Sequence, residues 1–377
     1  MSKKTDEGKK NVVIVGGGAA GVEVVQQLAK QLDHAQYNLI LLNARPYFVH
    51  VIAGLRMAVS EAERLEDQVL IPYDRLPATF VQGTLVEIEE TAPGKGGVLV
   101  LANGDRLEYA ALILATGSKW PGLIDYGDSN EEVHENIRIW RERFAQAKNV
   151  VIAGGGAVGI ELAGEIVDAH PNTKVTIVHS GTRLMNDVYP DKFRKSLEQK
   201  VLSRGIALID RDYVDNFPEA LTATDIVTRR GKTIKGADLV IPAFGSRPNT
   251  GIINTLGAGV LTEAGYVKVK PTLELPDHPG VFAVGDIVDW NEQKQAFKSG
   301  NHASVAVPNL LSFLRGQPQK KVYKGSTEMI VVPIGRSYGA GYFDVLWGIT
   351  VGNWFTGMIK GKDLLVGMTR KNDAPPS

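Results

Sequence analysis

The stretch that most constrains this chain is residues 11–21, NVVIVGGGAAG. Four apolar β-branched residues, Val12, Val13, Ile14 and Val15, run into Gly16, Gly17 and Gly18, and Gly21 opens an apolar helical stretch, VEVVQQLAKQL. A continuous apolar run of this kind suits a parallel strand covered on both faces. The spacing G-x-G-x-x-G between such a strand and a helix is the turn that receives a dinucleotide pyrophosphate. Gly16 lets the backbone turn, Gly18 lets phosphates approach the main chain, and Gly21 lets the helix pack on the strand. Ala19 belongs to the same candidate set, because the free N–H groups and partial positive charge of the helix start there.

The motif returns at residues 149–159, NVVIAGGGAVG, with Gly154, Gly156 and Gly159 at the same spacing. Gly154 lies 138 residues after Gly16 (154 minus 16). Solenoid repeats recur every 20–50 residues, so this is a repeat of whole domains. Each copy serves one pyrophosphate, which predicts two dinucleotide sites. The expected architecture is α/β: two Rossmann-like dinucleotide-binding domains, the second inserted in the first, plus a small C-terminal α+β unit. The boundaries predicted are a flexible tail over 1–10, a first domain over 11–118 and 237–318, a second over 119–236, and a C-terminal domain over 319–377.

Composition narrows the chemistry. Lys plus Arg and Asp plus Glu are both 42, and this neutral balance lacks the basic footprint of wide nucleic-acid binding. Hydrophobic content of 44% and charged content of 22% suit an ordinary globular protein. There are no cysteines. That removes disulfides, thiolate nucleophiles, iron–sulfur clusters and any thiol relay beside a flavin. No metal site is expected. Residues 1–10, MSKKTDEGKK, hold four lysines and no apolar core, so a secretory signal is not expected and the predicted location is cytoplasmic. Residue 2 is Ser, not the Gly that N-myristoylation requires.

Residues 38–43, NLILLN, read as the second strand of the first unit. The position at its end usually carries an acid for the adenosine ribose; here it is Asn43, followed by Ala44 and Arg45. Arg56, on the short helical stretch VIAGLRMAV, is placed to reach a phosphate. Residues 79–90 and 98–101 read as an antiparallel meander with glycine turns, and Val86 within it joins the cofactor-binding candidates. Residues 111–118, ALILATGS, read as a strand ending in a small-residue turn at Thr116 and Gly117, which lets a cofactor ring lie close to the backbone. Residues 130–148 read as a helix.

In the second unit the strand KVTIVH ends at His179, in the ribose-reading position, with Ser180, Thr182 and Arg183 following. With no acid there, NADPH is admitted as well as NADH, and Arg183 is placed to pair with the extra phosphate. The expected preference between the two is less than about tenfold. Glu161, two residues past the last glycine, and Glu165 one turn on are expected either to face solvent or to place Glu161 at the nicotinamide ribose, the second being the favoured reading for Glu161. Gly245, in LVIPAFGSRPN, permits close approach of the nicotinamide. Asp286, ending GVFAVGD, is placed to accept hydrogen bonds from polyol hydroxyls. Near the C-terminus, residues 345–359, VLWGITVGNWFTGMI, carry no charge but fall short of the roughly 20 residues that cross a bilayer. Trp347, Trp354, Phe355 and Met358 stand beside Lys360, Lys362, Arg370 and Lys371. They form a membrane-surface patch, a face packed on the first domain, or a dimer interface.

GGGAAG, ATGS, GGGAVG, AFGSRPN and FAVGD, in this order, resemble the flavoprotein reductases with two dinucleotide-binding domains. The stretches HVIAGLR, KVTIVHS, QAFKSGNHASVAVPNL and MIKGKDLLVGMTRK are similar to the apoptosis-inducing-factor-like group, in particular its ferroptosis-suppressor branch of NAD(P)H:quinone oxidoreductases. The resemblance implies FAD in the first domain, NADH or NADPH in the second, and a lipophilic, ubiquinone-like acceptor. It implies peripheral work at a membrane or lipid-droplet surface, as monomer or homodimer. It places the FAD pyrophosphate on Gly16, Gly18 and Gly21, the adenosine ribose near Asn43, Arg56 near phosphate, Thr116 and Gly117 along the flavin, Asp286 on the ribityl chain, and the aromatic Phe297 over the flavin. The expected activity is hydride transfer from NAD(P)H through flavin to a quinone. A reductase of a protein acceptor, and an NADH-sensing interaction protein, are the alternatives.

Overall fold

The computed structural model describes Asp6 and residues 8–372, with side chains through Arg370. Residues 1–5 and Glu7 of the expected tail lie outside the described residues. The rest of that tail is tied down. Lys10 is the first residue of strand Lys10–Val15, and Asp6 exchanges hydrogen bonds with the Asn38 side chain (3.2 and 3.0 Å).

Two parallel sheets organise the chain. The first has five strands in the order Val281–Ala283, Ala111–Leu114, Lys10–Val15, Tyr37–Asn43 and Thr79–Gln82. Its central strand registers Val13 against Ile40 on one side and Leu112 on the other. All of Val12, Val13, Ile14, Ile40, Leu41 and Ile113 are fully buried, as the unbroken apolar runs require of a sheet covered on both faces. The helices Ala19–Ala29 and Ser299–Leu314 pack against each other and on this core. The second sheet has four parallel strands in the order Ala207–Ile209, Lys174–Val178, Asn149–Ala153 and Leu239–Pro242. The helix Asn130–Gln146 enters this unit. Its start is a capping box: Ser129 Oγ accepts from the Glu132 N–H, and Glu132 reaches back to the Ser129 N–H.

Several expected boundaries move. Thr79–Gln82 leaves the meander and becomes the parallel edge of the first sheet, because it pairs with Tyr37–Asn43. The antiparallel meander is Leu85–Glu90, Gly97–Leu101 and Arg106–Tyr109. The second unit runs past residue 236: Leu239–Pro242 pairs with Asn149–Ala153, so the return to the first unit follows Pro242. A short ladder, Ser118–Lys119 against Arg247–Pro248, joins the outgoing and returning chains. The C-terminal unit starts later than 319. The Tyr323 N–H donates to the Pro271 carbonyl (2.8 Å), and Tyr323 belongs to the first core. The three-stranded antiparallel sheet Met329–Ile334, Tyr338–Phe343 and Ile349–Val351 packs on the second unit. Val332, Ile334, Ala340 and Tyr342 share a core with Ile160, Phe193 and Ile241. The uncharged stretch 345–359 is thus a strand, the short helix Asn353–Thr356 and the start of the π-helix Gly357–Gly361.

Candidate functional site

In each parallel sheet the strand order reverses beside the central strand, and a crevice opens at the carboxyl ends of the two diverging strands. In the first unit it lies between the ends of Lys10–Val15 and Ala111–Leu114, lined by Gly16–Gly18 and by Ala115, Thr116 and Gly117. In the second it lies between the ends of Asn149–Ala153 and Leu239–Pro242, lined by Gly154–Gly156 and by Ala243 to Gly245.

The glycines of the two turns divide their work identically. Gly16 (φ 106°) and Gly154 (φ 136°) occupy the left-handed region, and a Cβ on either would overlap the carbonyl of Ala115 or Ala243. A Cβ on Gly21 or Gly159 would overlap the carbonyl oxygen of Gly16 or Gly154, so both helices sit directly on their turns. Gly18 and Gly156 are different. A Cβ there meets nothing within 4 Å. They also cap the helices Ala19–Ala29 and Ala157–Ala169 without a side-chain partner for the free N–H groups. The backbone therefore leaves an open cradle of hydrogen-bond donors at both sites, which fits a pyrophosphate at each.

At the first crevice Asn43 serves the protein itself. Its Oδ1 accepts from the Gly17 N–H (2.9 Å) and its Nδ2 donates to the Arg45 carbonyl (2.8 Å). The Tyr73 hydroxyl donates to the Gly17 carbonyl (2.6 Å) and lies 3.3 Å from Asn43 Nδ2. Asn43 and Tyr73 together brace the glycine turn. No motif pointed to Tyr73, which arrives from the loop after the Leu70–Pro72 strand. Arg45 donates to the Gly127 carbonyl (2.9 Å), fastening this corner to the inter-unit loop. Beside Asn43 and Ala44 the chain passes at Gln82 and Gly83, whose Nε2 and N–H donate to the Ala44 and Asn43 carbonyls (3.1 and 3.0 Å). Val86 stands at the bulge of the meander, three residues after Gly83, and is exposed. At the opposite wall of the first crevice Thr116 Oγ1 donates to the Asn249 carbonyl (2.5 Å), and the Asn249 N–H donates to that of Gly117 (2.8 Å). Asp286 accepts from Ser118 Oγ (2.8 Å) and is half-buried, which leaves carboxylate lone pairs facing the crevice mouth. The neighbouring Gly285 N–H donates to His302 Nδ1 (2.9 Å), so His302 carries its proton on Nε2 and gives it to Glu292 (3.0 Å). Phe297 is 44% exposed, not a core aromatic. The buried Lys298 beside it is held by Glu328 (2.5 Å) and faces Glu292 at 3.9 Å, pinning the turn that displays Phe297.

One expectation fails on geometry, and another meets competing partners. Arg56 is not at a phosphate. Its guanidinium is 2% exposed, holds Glu165 through Nε (2.7 Å) and Nη2 (2.9 Å), and donates to the carbonyls of Gly361 and Lys362. Nε, Nη1 and Nη2 all donate inside the protein, because the helix Gly54–Val59 lies between the two units rather than at a crevice. Arg183, expected to pair with a 2′-phosphate, is partly exposed and already shared between two carboxylates. Glu198 binds it at 2.9 Å and Asp191 at 3.5 Å. His179 bonds the Arg183 carbonyl through Nε2, and burial holds its imidazole below the usual histidine range.

Glu161 is buried on the helix Ala157–Ala169 and pairs with Lys360 of the π-helix (2.6 Å). Burial pushes its carboxyl above the usual range, while the Lys360 charge pulls the other way. Lys360 was an expected membrane contact. The structure instead spends it on Glu161, and that pair joins the C-terminal unit to the helix that follows the second glycine turn. Gly245 (φ 97°) meets nothing within 4 Å of a Cβ position and stays open at the opposite wall.

A family model for pyridine nucleotide-disulphide oxidoreductases matches residues 10–308. The chain belongs to that family. It is an FAD- and NAD(P)H-using flavoprotein of the oxidoreductase class. It is 46% identical over 320 residues to the FAD-dependent oxidoreductase FVFD30 of Flammulina velutipes, spanning 83% of this chain and 98% of that one. Ferroptosis suppressor protein 1 of Xenopus tropicalis is 30% identical over 98% of this chain and 97% of its own. In three dimensions the sulfide:quinone oxidoreductase of Aquifex aeolicus superposes with a TM-score of 0.75 at 17% identity, over 96% of this chain and 90% of that one, a likeness of fold.

Proposed function

We propose that this protein oxidises NAD(P)H and reduces a lipophilic quinone at a membrane surface. The observation that carries the reading is the pair of open glycine cradles at two switch points, in a chain without a cysteine. The family name refers to a disulfide, but no thiol relay is available here, so electrons leave toward a diffusible acceptor. Gly16, Gly18 and Gly21, in a turn braced by Asn43, with Thr116, Gly117 and Asp286 would hold FAD, and Gly154, Gly156, Gly159 and Gly245 the nicotinamide dinucleotide. When bound, FAD supplies the two-electron chemistry between hydride donor and acceptor. The protein binds, orients and shields. The Asn249 bonds to Thr116 and Gly117 hold the turn at the end of Ala111–Leu114 rigid. The helix from Ser299 directs its N-terminal dipole back toward the first crevice. Phe297 offers an exposed ring to an aromatic, apolar acceptor.

The acceptor reading draws on the resemblance to the ferroptosis-suppressor quinone reductases and on the surface of the C-terminal unit. Among the described residues no helix is long and apolar enough to cross a membrane. Yet Trp347 is fully exposed and Trp354 78% exposed, in the same C-terminal unit as the exposed Lys362. The test is steady-state oxidation of NADH by the purified yellow protein with a panel of acceptors. Turnover with quinones, and little with iron–sulfur or haem proteins, is the expected outcome. A single slow reduction without turnover would support the NADH-sensing alternative.

A further inference from the structure

The ribose end of the second crevice carries its acid in an unusual place. Where the strand Lys174–Val178 ends, the ribose-reading residue is His179, and no carboxylate follows it in the turn. The turn is nonetheless supplied with negative charge, from the helix Asp191–Ser203. Glu198 Oε1 accepts from the Leu184 N–H (3.0 Å), and Glu198 Oε2 binds Arg183 Nη1 (2.9 Å). Asp191 flanks the same guanidinium at 3.5 Å. The turn lies against the dinucleotide cradle: the Met185 N–H donates to the Gly155 carbonyl (2.8 Å), and a Cβ on Gly155 would strike the His179 ring. The other arginines nearby are paired as well. Arg194 holds Asp187 (2.6 Å) and faces Asp191 (3.5 Å), and Arg211 holds Asp210 (3.2 Å).

From this we infer, against the weak discrimination that the turn residues alone led us to expect, that Glu198 makes the enzyme selective for NADH over NADPH, acting through Arg183. It rests on the proposed entry of the nicotinamide dinucleotide at the second glycine turn. A 2′-phosphate beside His179 meets a guanidinium already neutralised by two carboxylates. To bind, it must share that guanidinium with Glu198 and Asp191 and face both carboxylates. A 2′-hydroxyl makes no such demand. Glu198 is a positioning residue here, for it touches Arg183 and the Leu184 N–H, not the nucleotide.

The test measures binding as well as turnover. Purified holoprotein is titrated by calorimetry with ADP-ribose and with 2′-phospho-ADP-ribose at one ionic strength, and flavin reduction by NADH and NADPH is followed by stopped flow. The wild type should favour the ligand without the 2′-phosphate by about tenfold or more. Glu198→Gln keeps an acceptor for the Leu184 N–H and frees Arg183, so the ratio should move about tenfold toward the 2′-phosphorylated ligands. Adding Arg183→Ala should cancel that movement. A role confined to folding would weaken both ligands and leave their ratio unchanged. Equal binding of the two ligands by the wild type, or a ratio that Glu198→Gln does not move, overturns the inference while leaving dinucleotide binding standing. Failure of both ligands to bind overturns the dinucleotide reading of this crevice, and the selectivity with it.

Discussion

At the scale of single residues, the two glycine turns make a contrast that can be measured. Gly156 and Gly159 are three residues apart, and a sequence motif treats them alike. Their surroundings do not: a Cβ on Gly156 enters open space, whereas one on Gly159 overlaps the Gly154 carbonyl. Gly156→Val should therefore fold normally and stay yellow, while its isopropyl group fills the cradle and blocks the pyrophosphate. Flavin reduction by NADH should fall by about a hundredfold or more, a loss of ~3 kcal/mol in transition-state stabilisation. Gly159→Ala should do the reverse. It forces the helix Ala157–Ala169 off its strand at a cost of about 1–3 kcal/mol, visible as a lower melting temperature. Equal melting temperatures for the two variants would contradict this division of work.

At the scale of elements, the ion pair of Arg56 and Glu165 joins three segments that are far apart in the chain: the helix Gly54–Val59, the helix Ala157–Ala169 and the π-helix Gly357–Gly361. Both side chains are almost wholly buried. Arg56→Met would strand the Glu165 carboxylate and the carbonyls of Gly361 and Lys362 without donors, so urea denaturation should show a loss of about 3–5 kcal/mol. Arg56→Met with Glu165→Met removes both charges and should cost less than Arg56→Met alone. A larger loss in the double variant would show that the carboxylate is not the source of the penalty. This cluster also marks where sequence reading stops. The parallel strands, both glycine turns and the helices after them were legible, because each follows from a local pattern of β-branched runs, glycines and helical periodicity. Arg56 and Glu165 stand 109 positions apart, and nothing local to either distinguishes a buried ion pair from a phosphate ligand or a solvated side chain. Tyr73 on Gly17 and Lys360 on Glu161 were hidden for the same reason. Thr79–Gln82 misled through its composition, since an edge strand of a parallel sheet and a meander strand look alike until a pairing partner is known.

At the scale of the whole molecule, the C-terminal unit presents an apolar surface that its own core does not need. In the loop between Tyr338–Phe343 and Ile349–Val351, Leu346 (φ 48°) and Trp347 (φ 71°) both sit in the left-handed region. That conformation costs roughly 1–2 kcal/mol per residue. It is spent on presenting two large apolar side chains to water, and strain of this kind concentrates where a surface has work to do. The Phe343 ring meets that of Phe355 edge-on at 5.8 Å, which brings the helix Asn353–Thr356, and with it Trp354, up to the hairpin. Exposed Met358 and Met368 continue along the segment with Lys362 and Arg370. Lys371 lies beyond the described side chains. A long-tailed quinone partitions into bilayers, so an enzyme that uses it gains from aromatic insertion at the headgroup boundary and from basic contacts with anionic lipid, about 1 kcal/mol each. The variant that tests this avoids Lys360, which is committed to Glu161. Trp347→Ser with Trp354→Ala and Lys362→Glu should reduce co-sedimentation with anionic liposomes, and wild-type binding should weaken as salt rises. Turnover with a long-tailed quinone in those liposomes should fall with it, while turnover with a short, water-soluble quinone stays near the wild-type rate. Equal loss with both quinones would place these tryptophans in the protein's own packing and remove the membrane from the reading.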